Sequence, residues 1–128
     1  MKRLVFLIFL FLNFTTLLCA RDIKLSEHFR QSEFACKCCG ETKVNIELVI
    51  KLEELREKLK APIVITSGYR CEKHNKEVDG VKNSQHLYGN AADIKIKEYT
   101  PEEVAKIARE VGFSFVKVYK SWVHVDVR

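Results

Sequence analysis

The stretch Ser84-Gln85-His86-Leu87-Tyr88-Gly89-Asn90-Ala91-Ala92-Asp93-Ile94-Lys95-Ile96-Lys97 decides how this chain is read. From Ala92 onward apolar and polar residues alternate. Ala92, Ile94 and Ile96 fall on one side, and Asp93, Lys95 and Lys97 on the other. A period of two marks a strand with one face on a core and one on the polar side, so Asp93 points away from the core. Just upstream, a loop with Gly89 and small residues carries His86 to the head of that face.

The same period returns at the C-terminal end. Val123, Val125 and Val127 share one face, and Trp122, His124 and Asp126 share the other. Phe113 to Tyr119 and Trp122 to Arg128 read as a hairpin joined at Lys120-Ser121. Leu48, Leu52, Leu55 and Leu59 recur at four, three and four residues, the stripe of an amphipathic helix over Val44 to Lys60, with Pro62 to stop it. Ile63 to Thr66 is a short β-branched run, read as a buried strand. A second helix opens at Thr100-Pro101-Glu102-Glu103, a capping box with proline at the first helical position, and ends at Gly112. Cys71 to Val78 has room for a short helix between the first strand and the polar loop. The predicted class is α+β: a small, largely antiparallel sheet, helices on one face and a functional face opposite. Phe29 and Phe34 are expected to anchor an N-terminal arm, and His28 to be an ordinary surface residue.

The chain has 128 residues, enough for one domain. Residues 1–20 stand apart. Lys2 and Arg3 precede an unbroken apolar run from Leu4 to Leu12, followed by a mixed segment to Ala20, the layout of a secretory signal peptide. An uncleaved N-terminal anchor over residues 4–20 is the alternative, and lipidation at Cys19 a third, opposed by the bulky Leu18 before it. The folded domain is therefore expected over residues 21–128, exported to the periplasm or exterior or held at the membrane by residues 4–20. Without residues 1–20 there remain 20 basic and 17 acidic residues, a net +3 spread along the chain with no basic block. That balance gives no argument for a nucleic-acid partner. A monomer is expected.

Four cysteines follow residue 20: Cys36, Cys38, Cys39 and Cys71. In an exported protein an even number implies disulfides. Cys38 and Cys39 are adjacent and poorly placed to join each other, so Cys71 is expected to pair with one of the Cys36–Cys39 group. The competing reading is a structural metal site, against which the cysteine spacing departs from the usual two-by-two pattern.

His86, Asp93 and His124 supply two imidazoles and a carboxylate on one sheet face. With a fourth position left open, this is a common ligand set for catalytic zinc. Arg70 follows the first strand through Ser67-Gly68-Tyr69, and its planar, permanently charged fork suits a substrate carboxylate or a developing oxyanion.

The motif Ser84-x-His86-x-x-Gly89-x-Ala91-x-Asp93 resembles the signature of the zinc D-alanyl-D-alanine carboxypeptidase family of peptidoglycan peptidases. Ser67-Gly68-Tyr69-Arg70 is similar to that family's Ser-Gly-Tyr-Arg element, and His124-Val125-Asp126 to the closing His-x-Asp strand of a compact branch. The resemblance covers roughly residues 24–128. It implies a hedgehog/DD-peptidase-like fold, Zn2+ held by His86, Asp93 and His124, and substrate binding by Arg70 and Ser84. It also implies hydrolysis of D-amino-acid-containing bonds in peptidoglycan stem peptides, by carboxypeptidase or endopeptidase action. Several branches place an acidic general base three residues before the second histidine. Here that position is Ser121. Asp126 is the nearest acidic candidate for the catalytic base, with a supporting role beside His124 as its alternative; His74 is a further candidate. The vacancy at Ser121 also sustains a second expectation, a catalytically weak or inactive zinc-containing module that binds the cell wall.

Overall fold

The computed structural model describes residues 21–128; the expected signal peptide or anchor over residues 1–20 lies outside the described residues. Among the described residues no helix is long and apolar enough to cross a membrane. The regular elements are α1 (Ile46–Leu59), β1 (Val64–Ser67), α2 (Glu72–Glu77), β2 (Ala91–Lys95), α3 (Pro101–Val111), β3 (Phe115–Val118) and β4 (Val123–Asp126). The four strands form one antiparallel sheet in the order β1-β2-β4-β3. The class is α+β, as the alternation of periods predicts.

Local chemistry sets the helix ends. Asn45 caps α1 by accepting from the Glu47 N–H, so the helix starts two residues after Val44. It stops at Leu59, where Lys60 turns left-handed (φ 49°), ahead of Ala61 and Pro62. Helix α3 has the expected capping box: Thr100 Oγ1 accepts from the Glu103 N–H, and the Glu103 carboxylate accepts from the Thr100 N–H at 2.8 Å.

The core lies between the sheet and the two longer helices. Leu48, Leu52, Leu55 and Leu59 of α1 and Val104, Ala105, Ala108 and Val111 of α3 are buried with Ala92, Ile94, Val123 and Val125 from the sheet. The period-two reading of β2 and β4 therefore assigns the core faces correctly. Truncating any one of these leucines to alanine costs about 2–5 kcal/mol in sites of this kind.

Two expectations change. The run Ile63–Thr66 is not a buried strand. Its strand, β1, lies at the sheet edge, and Val64 is 57 % exposed while Ile63 goes inward. A four-residue apolar run does not say how many neighbours the strand has; that depends on pairing. The four cysteines of the described region are unbonded in the structure, so the expected disulfide between Cys71 and the Cys36–Cys39 group is not shown.

The N-terminal arm is pinned at both ends. Phe29 and Phe34 are buried with ring centroids 6.1 Å apart. Just before Phe29, Glu53 of α1 accepts from Ser26 Oγ at 2.6 Å and from the His28 N–H at 2.7 Å, and lies 2.7 Å from His28 Nδ1. His28 is thus half-exposed but clamped to α1.

Candidate metal centre

Strand register assembles the site. Asp93 of β2 stands directly opposite His124 of β4, and Ser67 of β1 opposite Asp93. Residues directly opposed in an antiparallel pair share a face, so Ser67, Asp93 and His124 form a row on the face away from the helices. A register irregularity between Ile65 and Ser67 redirects the end of β1.

His86 reaches this row from a 3-10 turn over Gln85–Tyr88. Ser84 caps the turn by accepting from the His86 N–H at 3.3 Å. Gly89 closes it at φ 73°, where a Cβ would sit 2.5 Å from the Lys43 carbonyl oxygen. The turn needs glycine both for its backbone conformation and for that close approach. Asn90 then holds the turn to its surroundings, donating to Gln85 Oε1 at 3.0 Å and accepting the Val127 N–H at 3.0 Å.

His86 is only 1 % exposed, and its Nδ1 lies 2.7 Å from the Gly68 carbonyl oxygen. A carbonyl only accepts, so Nδ1 carries the proton and Nε2 presents its lone pair. His124 is arranged in mirror fashion. Its Nε2 lies 2.9 Å from Asp126 Oδ2, which leaves Nδ1 as the free nitrogen. His86 Nε2, His124 Nδ1 and Asp93 Oδ1 form a triangle with edges of 3.2, 3.0 and 3.2 Å.

This triangle is a test of metal fit. A tetrahedral ion with bonds of about 2.0–2.1 Å needs donor–donor edges of about 3.3–3.4 Å, close to those observed. Three acceptors pointed at one spot are stabilised by a cation placed between them. The metal that this nitrogen and oxygen set fits is zinc.

Electrostatics agree. Burial pushes the Asp93 carboxyl up, but hydrogen bonding and charge from His124 and His86 outweigh it and hold it well below the usual carboxylate range. Burial lowers the His124 pKa, yet its two flanking carboxylates, Asp93 and Asp126, raise it above the ordinary imidazole value. Positive charge is drawn to this point, and a metal ion would take the place of the proton.

Arg70 is fixed beside the triangle and is largely buried, its side chain 12 % exposed. Nη2 donates to Asp93 Oδ2 at 3.2 Å, Nη1 to Asn75 Oδ1 at 3.1 Å, and Nε to Ser67 Oγ at 3.2 Å. Asp93 thus turns one oxygen to the histidines and the other to Arg70. Five N–H donors minus three engaged leaves two for a ligand.

Asp126 is fully buried, at 0 % exposure. Oδ2 accepts from His124 Nε2 at 2.9 Å and from Arg128 Nη2 at 2.6 Å, and Oδ1 accepts from Arg128 Nε at 2.9 Å. Burial raises its pKa, but Arg128 and His124 outweigh that and lower it. Arg128 in turn lies over the Phe115 ring, 4.4 Å from its centroid.

These side chains border a groove of about 820 Å³, with Arg70, Ser84, His86, Asp93 and His124 in its lining. His74, Asp79, Lys117, Tyr119, Trp122 and Arg128 also line it. Tyr119 and Trp122 stack at 4.5 Å and 7°, a flat aromatic rim. Ser121 instead borders a separate hollow of about 260 Å³. A third depression, about 730 Å³, lies between the N-terminal arm and α1, away from the triangle.

Sequence reasoning missed three contributors. Asn75, buried in α2, ties Arg70 to the Val81 carbonyl, to which its Nδ2 donates at 2.9 Å. The Gly68 carbonyl sets the His86 tautomer, and Arg128 saturates Asp126. A buried asparagine inside a six-residue polar helix was the only local signal for the first; backbone carbonyls leave none.

The peptidase M15 family profile matches residues 24–126, nearly the whole of the described region. The chain belongs to the peptidase M15 family. The chain is 35 % identical over 65 residues to a zinc D-Ala-D-Ala carboxypeptidase of Streptomyces albus G. That alignment covers 50 % of this chain and 26 % of the Streptomyces protein, so the chain matches about a quarter of that relative's length. Membership in peptidase M15 agrees with the antiparallel α+β sheet.

Proposed function

We propose that this M15 peptidase is a zinc metallopeptidase that hydrolyses D-amino-acid-containing peptide bonds of peptidoglycan stem peptides. The single observation that carries the reading is the donor triangle of His86, Asp93 and His124, with a fixed guanidinium beside it, at the base of a groove. The similarity to the Streptomyces carboxypeptidase supports the substrate class. An exported location follows from that substrate, in the periplasm or outside the cell.

In this reading His86 Nε2, His124 Nδ1 and Asp93 Oδ1 hold zinc, which when bound supplies Lewis acidity and a water of near-neutral pKa. Arg70 binds the peptide carboxylate or the oxyanion through its two uncommitted N–H donors. Ser84 holds the His86 turn and borders the groove. Tyr119 and Trp122 form the aromatic rim of the substrate groove. Asp126 acts through His124: its buried carboxylate holds the imidazole in the tautomer that frees Nδ1. With both oxygens already accepting, it is poorly placed to take a proton from water. His74, which also borders the groove, is the remaining candidate for that step.

The experiment is a muropeptide digest followed by mass spectrometry, with zinc quantified on the same sample. New fragments from the parent, none from His124→Ala, and loss with a chelator support the assignment. The fragment masses distinguish release of a terminal D-residue from cleavage of a crosslink. A second reading has two observations behind it: Ser121 offers no acid, and Asp126 is saturated. It is a zinc-containing module that binds wall peptides with little turnover. Saturable muropeptide binding without fragments would establish that reading in place of the first.

A further inference from the structure

Outside the His86–Asp93–His124 triangle, a second group of metal-ligating side chains converges. Cys36, Cys39 and Cys71 bring their sulfurs within 4.8 Å of one another. The three are drawn from positions up to 35 residues apart. Cys38 sits in the same short loop as Cys36 and Cys39, between them.

Its backbone is organised for thiolates. Cys36 and Cys39 are separated by two residues and followed by Gly40, whose φ of 75° turns the chain back. The Gly40 N–H donates to the Cys36 carbonyl at 2.8 Å, and the Cys36 N–H to the Glu41 carbonyl at 2.7 Å, closing a tight loop. The Cys71 N–H donates to Cys36 Sγ at 3.4 Å. The His74 N–H reaches Cys71 Sγ at 3.4 Å. An N–H donor on each of these two sulfurs stabilises negative charge there.

A disulfide does not account for this geometry. It would join two of the three sulfurs and leave the third crowded against it, and a neutral disulfide sulfur is a weak acceptor for the N–H groups that face Cys36 and Cys71. A divalent ion satisfies all of them. The Cys36-x-x-Cys39 loop supplies one pair of the two-by-two spacing of structural zinc sites, and the fold, in place of a second sequence pair, brings Cys71 to it.

We propose that Cys36, Cys39 and Cys71, with Cys38 at the fourth position, form a second, structural zinc site. Each thiol releases its proton to solvent as its sulfur binds the ion, so the sulfurs are neither oxidised nor reduced. The site clips the arm that follows Phe34 to the segment Gly68–Cys71. The Tyr69 N–H already donates to the Phe34 carbonyl at 2.8 Å there. Arg70 and the Gly68 carbonyl that orients His86 lie on that segment, so the clip braces the groove from outside.

The test uses the full chain purified under reducing conditions. Zinc analysis is expected to give two equivalents per chain, falling to one in His86→Ala/His124→Ala and to one in Cys36→Ser/Cys71→Ser. Cobalt substitution of the histidine variant is expected to keep the thiolate-to-cobalt charge-transfer band and the intense visible bands of a tetrahedral ion. The cysteine variant is expected to lose them. Should the cysteine variant fail to fold, titrating the parent with a thiol-specific mercurial is expected to release one equivalent of zinc. No zinc in the histidine variant, no charge-transfer band in that variant loaded with cobalt, or a reduced-preparation mass lower by two hydrogens would overturn the proposal. The band in the histidine variant is independent of peptidase activity, so failure of the catalytic reading leaves this test intact.

Discussion

Asp126→Asn separates a carboxylate that orients a ligand from one that moves a proton. The parent side chain accepts a hydrogen bond from His124 Nε2 at 2.9 Å and is held by Arg128 on both oxygens. A hydrogen bond to a charged partner contributes about 1.5–3 kcal/mol, and a neutral one about 0.5–1.5 kcal/mol. Asparagine keeps an acceptor of similar shape but no charge, so the His124 tautomer loses about 1–1.5 kcal/mol of support. At 1.4 kcal/mol per decade that weakens zinc binding about tenfold, at the lower end of the 10–100-fold range for partners of metal-bound histidines. Folding is little affected by the loss at Arg128, because that side chain is half-exposed and can reach water. The assay is competition for zinc with a chromogenic chelator, run beside kcat at saturating zinc. The expected result is weaker zinc binding with kcat largely recovered once the site is filled. Unchanged zinc affinity with kcat down about 10²–10⁴-fold, the scale of a lost general base, would refute the orienting role.

Further outcomes follow from the same contacts. Asn75→Ala releases Arg70 Nη1 and strands the Val81 carbonyl, so kcat/KM is expected to fall about tenfold and stability by about 1–2 kcal/mol; muropeptide kinetics and urea melts read the two separately. In Gly68→Ala the new Cβ would stand 2.6 Å from Phe34 Cα, and the melting temperature is expected to drop through a loss of about 1–3 kcal/mol. Glu53 is raised by burial but lowered further by hydrogen bonds from Ser26 and His28, leaving its pKa below the ordinary 4.5. A carboxyl depressed in the folded state adds stability above its unfolded pKa and loses it as pH falls through its folded pKa. Thermal melts below pH 4.5 are therefore expected to fall more steeply for the parent than for Glu53→Gln. Chelation is expected to abolish peptide hydrolysis, with recovery on adding zinc, read by the same muropeptide digest.

The chain alone determined the features whose causes are local. Alternation at Ala92–Lys97 and Trp122–Arg128 assigned the core faces of β2 and β4, because side chains in a strand alternate regardless of their neighbours. Thr100, Pro101 and Glu103 marked the start of α3, because a cap acts within one turn. Leucine spacing found α1 to within two residues. His86, Asp93 and His124 were legible as candidates from residue type and motif. Tertiary structure decided what depends on pairing across the chain. It made β1 an edge strand, since a short apolar run carries no record of its neighbours. It set Asp93 opposite His124 through a ladder joining positions 31 residues apart, and so drew three donors into a triangle of zinc dimensions. It saturated both oxygens of Asp126, which in sequence was only a carboxylate two residues from a histidine. It also gathered Cys71 to the Cys36–Cys39 loop as unbonded cysteines where composition favoured a disulfide, because cysteine counting is blind to how many sulfurs meet and which amides face them.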